Sequence, residues 1–120
     1  MLVKPMLNQS PALDRAFQAL ADPTRRGIVE RLSRGPASVG DLARPLSISL
    51  PAVLQHVQVL EASGLVVSQK TGRVRMCRIE AAALSRAEAW ISAQRVEWER
   101  RLDRLEAYLE EQGNAGGVDE

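Results

Sequence analysis

A chain of 120 residues, 45% apolar and of net charge +1, has the size of one domain and too much apolar content for a disordered chain. No run of about 18 apolar residues occurs, which excludes a membrane-spanning helix, and the first ten residues lack the apolar stretch of a secretion signal, so a cytoplasmic location is expected. One cysteine, Cys77, excludes an intrachain disulfide framework, and with one histidine it cannot supply the four ligands of a zinc site without carboxylates or a second chain.

Residues 1–9 read as a loose leader. Ser10-Pro11 is a helix start, with Ser as N-cap and Pro in the first turn, and Leu13, Ala16, Phe17 and Leu20 follow at helical spacing. Asp22-Pro23 repeats the signal for a second helix carrying Ile28, Val29 and Leu32, which stops at Gly35-Pro36. Ser38 with Asp41 three residues on resembles a capping box and opens a third helix, kept short by Pro45. After the tight Ser47-Ile48-Ser49 connection, Ser49 caps a fourth helix whose buried stripe is Val53, Val57 and Leu60, and Ser63-Gly64 ends it.

Residues 65–70 and 73–79 flank the Thr71-Gly72 turn and read as a β-hairpin. Val74 and Met76 are expected inward, with Arg73, Arg75 and Arg78 outward. The alternation slips near Cys77 and leaves the faces of Cys77 and Ile79 open. From Ala82 to about Glu111 runs a long helix without Gly or Pro, with Leu84, Ile91, Trp98 and Leu105 spaced by sevens and Leu102 and Leu109 flanking them. Its intervening positions, Ala87, Gln94, Arg101 and Tyr108, are too polar for a strong zipper, so the helix is expected to pack on a partner helix and on its own domain. Residues 112–120 read as a flexible tail, leaving 10–111 as the folded domain.

The fold class expected is mainly α with a small β-hairpin, the order of a winged helix-turn-helix. Leu50, Pro51, Leu54, Gln55 and Gln58 project away from the buried stripe of the fourth helix and present a face for the DNA major groove, Gln55 suited to adenine and Leu54 to a thymine methyl. Lys70, Arg73 and Arg75 at the hairpin bring cations to the flanking phosphates. Residues 1–80 carry a net +5 and residues 81–120 a net −4, which also points the body toward a polyanion. An enzyme is not expected: Asp14, Asp22, Glu30, Asp41 and Glu61 are scattered, and there is no Gly-rich phosphate loop, nucleophile elbow or histidine triad.

The stretches ALADPTRRGIVERLSRGPASVGDLA and SISLPAVLQHVQVLEASGLVVSQKTGRVRMCRI together resemble the ArsR family of winged-helix repressors, over roughly residues 13–110. The resemblance implies a homodimer joined through the first and last helices, with Leu13, Phe17, Leu84, Ile91, Trp98, Leu102 and Leu105 at the interface. It also implies binding to double-stranded operator DNA and release by an inducer. It places Ser49, Pro51, Gln55 and His56 against DNA and Arg73 and Arg75 on the wing. Metal-sensing members resemble one another in a Cys-x-Cys pair on the third helix or Asp/His ligands on the last; this chain has neither, so no metal or other cofactor is expected. A small-molecule effector of unknown identity is the remaining partner.

Leu54, Gln55 and Gln58 depart from the hydroxyl and basic residues frequent at these positions, so the fourth helix holds no Lys or Arg and phosphate attraction falls to the wing, Arg25, Arg26 and helix N-termini. That departure keeps a second reading open, a winged-helix interaction module that no longer binds DNA. Blander roles stand beside the sharper ones: His56 as a surface or packing residue, Cys77 as a small core hydrophobe, Trp90 and Trp98 as burial in a helix pair, and Arg25 and Arg26 as a solvated face.

Overall fold

The computed structural model describes residues 10–118, with side chains described through Gly113. The expected leader, residues 1–9, lies outside them. Four N-caps organise the body. Ser10 opens α1 (Pro11–Leu20), Asp22 opens α2 (Pro23–Leu32), Ser38 opens α3 (Val39–Ala43) and Ser49 opens α4 (Leu50–Ala62), each side-chain oxygen accepting from a backbone N–H three residues on. These bonds satisfy donors that a helix start leaves open. At α3 the box is reciprocal: Ser38 Oγ accepts from the Asp41 amide at 3.0 Å, and Asp41 Oδ2 accepts from the Ser38 amide at 3.4 Å. Pro45 diverts the chain into a 3-10 turn, Arg44–Leu46. α4 ends in a Schellman arrangement. Gly64 takes φ +83°, its amide donates to the Glu61 carbonyl, and the Leu65 amide donates to the Leu60 carbonyl.

The sheet has three antiparallel strands, β1 (Ala37–Ser38), β2 (Val66–Thr71) and β3 (Val74–Ile79), in the order β1-β3-β2. The β2–β3 hairpin closes through a two-residue loop, with Thr71 opposite Val74 and Gly72 at φ +64°, the backbone that favours glycine there. The sequence reading of the β3 faces needs correction. Cys77 is buried, Ile79 and Arg75 share its face, and Val74 and Met76 are exposed. The cause is β1: Ala37 pairs with Cys77, both are fully buried, and in a two-residue alternation that register turns every odd position of β3 inward.

One core joins these elements. Ala16 and Ala19 of α1, Ile28 and Leu32 of α2, Val53, Val57 and Leu60 of α4, Leu65 just before β2, and Val66 and Cys77 of the sheet are all buried in one cluster. Full burial of a side chain the size of Val57 or Leu60 stabilises the fold by about 1.5–3 kcal/mol, which makes the inner stripe of α4 the axis of the body.

α5 (Ala81–Val118) is longer than the sequence suggests. The chain forms two compact units, one running to Ala87 and one from Glu88 onward, with α5 contributing to both. The flexible tail expected from residue 112 is helical to Val118. Its glycines each cost about 1 kcal/mol relative to alanine, but there is no proline to remove a hydrogen bond, and an established helix gains one bond per added residue. Within the second unit Glu97 gathers Arg100, Arg101 and Arg104 at 3.6, 3.3 and 4.0 Å, solvated pairs that contribute little.

Candidate nucleic-acid interface

The step from α3 to α4 sets the candidate interface. Ser47 takes φ +56°, a left-handed backbone that a non-glycine residue adopts at some cost, and it turns the chain so that Ser49 caps α4. With Val53, Val57 and Leu60 locked inward, helical geometry sends Leu50, Pro51, Gln55 and Gln58 outward, and all four are exposed beside the exposed cap, Ser49. Leu54 is half-buried and packs against the core, so only part of its side chain faces outward.

His56 does not share that face. It is half-buried and turned toward the start of α2, with Nδ1 3.5 Å from Arg25 Nη1 and 3.9 Å from Asp22 Oδ2. The backbone N–H of Arg25 donates to Asp22 and holds its carboxyl below the ordinary carboxylate value, with the charges of Arg25 and His56 adding to the effect. Arg25 Nε donates to the Ala19 carbonyl at 2.7 Å, Arg25 Nη2 to the Gln18 carbonyl at 3.2 Å, and Arg26 Nη1 to the Leu20 carbonyl at 2.9 Å. Both arginines therefore close the C-terminus of α1, where a helix leaves carbonyls open and favours cations. Both guanidinium groups thus have intrachain partners, a structural role that the sequence reading did not assign them.

On the wing, Lys70 and Arg73 are exposed at the hairpin tip. Arg75 differs from them. It lies on the inward face of β3, and its Nη1 donates to Ser68 Oγ at 2.9 Å, while that hydroxyl donates to Glu61 Oε2 at 2.6 Å. Ser68 escaped the sequence reading, which took Glu61 only as one of several scattered carboxylates. The signal is the strand register: Ser68 pairs with Cys77, so Arg75 is its diagonal neighbour, within reach of a long side chain. Behind them, burial pushes the Cys77 thiol pKa up, the Glu61 charge pushes it further, and Arg75 opposes both. That environment keeps the thiol protonated and unreactive.

Between the first turn of α4 and the wing lies a cleft of about 610 Å³, walled by Leu50, Pro51 and Leu54 on one side and Lys70, Arg73 and Val74 on the other. At its edge Ser38 donates to Asp41 and holds that carboxyl below its ordinary value, with the charge of Arg44 adding to the shift. Of the residues assigned to a dimer interface, Leu13 and Phe17 are half-buried on α1, and Leu84 packs half-buried on the core of its own body. Ile91, Trp98, Leu102 and Leu105 are 51%, 60%, 44% and 52% exposed. Among the described residues no three His, Cys, Asp or Glu side chains stand close enough to hold a metal ion, and no helix is long and apolar enough to cross a membrane.

A family profile described as a helix-turn-helix domain matches residues 20–69. The chain is 51% identical over 72 residues to the HTH-type transcriptional regulator Rv2034 of Mycobacterium tuberculosis, which spans 60% of this chain and 67% of that one. It is 27% identical over 79 residues to the transcriptional repressor SdpR of Bacillus subtilis, covering 66% of this chain and 88% of the repressor. The crystal structure of the ArsR family transcriptional regulator RHA00566 superposes with a TM-score of 0.71 at 48% identity, over 78% of this chain and 97% of that one.

Proposed function

The chain belongs to the ArsR family of winged helix-turn-helix transcriptional regulators, and on that premise we propose that it represses transcription by binding a two-fold operator as a homodimer. The observation that carries this is the pairing of two surfaces in one body. α4 presents Gln55 and Gln58 on an uncharged exposed face, and the wing beside it presents Lys70 and Arg73. Amide side chains read base edges and cations meet phosphates, so the helix selects and the wing holds. A mobility-shift assay with the chain's own upstream DNA over a salt series tests it. The expected result is binding that weakens steeply with salt and prefers the upstream fragment over random DNA.

The homodimer is supported by the second unit, where Ile91, Trp98, Leu102 and Leu105 form an apolar stripe that is more exposed than water tolerates at low cost. Light scattering should give twice the 13.2 kDa chain mass, and a monomer at micromolar concentration would overturn the dimer. Trp98→Arg should shift the equilibrium to monomer, because it places an unpaired charge in the buried seam.

A second reading, an interaction module without DNA binding, is favoured by the absence of Lys and Arg from α4. Loss of any salt-dependent binding to the upstream DNA would select it.

A further inference from the structure

The cleft between α4 and the wing has a composition that DNA contact alone does not account for. Duplex recognition relies mostly on hydrogen bonds to phosphate, sugar and base edges, with apolar contact limited to small groups such as a thymine methyl. Val39, Leu50, Pro51, Leu54 and Val74 form an apolar floor that offers none, and Leu50 and Val74 remain 54% and 47% exposed. One thymine methyl would cover a small part of that surface. The volume of about 610 Å³ is that of a small-molecule site. Its rim is cationic: Lys70 and Arg73 stand exposed, Arg75 lies behind them on Ser68, and among the described residues that line the cleft none is acidic.

We propose that this cleft binds a small amphipathic carboxylate, its apolar tail on the Leu50, Leu54 and Val74 floor and its carboxylate on Lys70 and Arg73. The charge complementarity selects an anion over a neutral or cationic amphiphile, and the apolar floor selects against inorganic phosphate or a sugar phosphate. Because Lys70 and Arg73 are the same cations assigned to phosphates of the operator, occupancy and DNA binding are mutually exclusive. This regulatory half rests on the proposed DNA interface; the ligand site itself does not. The device is direct competition, with no conformational change required.

The test uses the full chain and 4-phenylbutyrate as probe, with 4-phenylbutanol as its neutral counterpart, by titration calorimetry without DNA. The carboxylate should bind one per chain and at least about tenfold more tightly than the alcohol. Lys70→Ala with Arg73→Ala should reduce it to the level of the alcohol. Val74→Asp, an exposed cleft-lining position at the start of β3, should abolish binding while leaving the thermal unfolding midpoint unchanged. In the DNA arm, rising 4-phenylbutyrate should raise the apparent Kd for upstream DNA linearly, as competition requires. No heat at millimolar probe, equal affinity for the alcohol, or undiminished binding by Val74→Asp would each overturn the site. Failure of the ligand-free protein to bind DNA would sink the DNA reading, with the calorimetry deciding the site separately. Release of DNA without competitive behaviour would overturn the exclusion.

Discussion

α4 and the wing lie side by side and are built on opposite principles. α4 is fixed by what it hides: Val53, Val57 and Leu60 are fully buried, Ser49 caps its start, and its exposed face is uncharged. The wing is fixed by pairing between strands and projects charge, with Lys70 and Arg73 free of the core. A rigid uncharged face can discriminate between bases but attracts DNA weakly, whereas an exposed cation attracts any duplex and discriminates little. On the proposed interface these two adjacent elements separate choice from attraction, and substitutions can probe each side of that contrast.

The largest effect belongs to the hidden side of α4. Leu60→Ala should cost about 2–5 kcal/mol of stability, read by chemical denaturation, while Gln58→Ala on the outer side should stay within about 0.5 kcal/mol. Comparable losses from the two would dissolve the distinction between faces. Next comes discrimination. Gln55→Ala should lower affinity for the operator by about 1–3 kcal/mol and leave random DNA unchanged, measured by fluorescence anisotropy on both duplexes. Arg73→Ala should instead weaken both duplexes together and flatten the salt slope by roughly 1.

Arg75 refines the contrast from within the wing. Its guanidinium donates to the Ser68 hydroxyl, which in turn donates to Glu61, so Arg75→Ala should flatten the salt slope by less than Arg73→Ala does. Equal slopes would show that the Glu61–Ser68 tether does not restrain it. The smallest effect concerns acid. The Asp22 and Asp41 carboxyls both titrate below the ordinary 3.8 in the folded chain. Depressed carboxylates contribute stability that is complete above the unfolded value and is lost as pH falls through the lower folded value. Urea midpoints between about pH 5 and 2 should therefore fall with acid, and less steeply in the double variant Asp22→Asn with Asp41→Asn.

The legible parts of the fold were those decided by neighbours in sequence. Ser10, Asp22, Ser38 and Ser49 announce helix starts because a cap acts on an amide three residues away. The stripe of α4 and the Gly72 turn are local in the same sense. What stayed hidden depends on distant partners. β1 is two residues long and has no pattern of its own, yet its pairing with Cys77 decides which face of β3 is buried. His56, Arg25 and Arg75 look alike in sequence as polar residues near a groove. The structure gives the first two to the junction of α1, α2 and α4 and ties the third to Ser68. The span of α5 was missed because glycines after Gln112 read as a stop, although nothing there forbids continued helix.

The uncharged outer face of α4 has a consequence for selectivity. Counterions released on binding come from the phosphates that cations neutralise, and on the proposed interface the wing would neutralise them equally on any duplex. The amides of Gln55 and Gln58 release none. On the proposed division of roles, ionic strength changes how much DNA is occupied but leaves the ratio of operator to random binding nearly constant. Such a regulator tolerates osmotic swings by losing grip without losing its aim, because the part that chooses carries no charge for salt to screen.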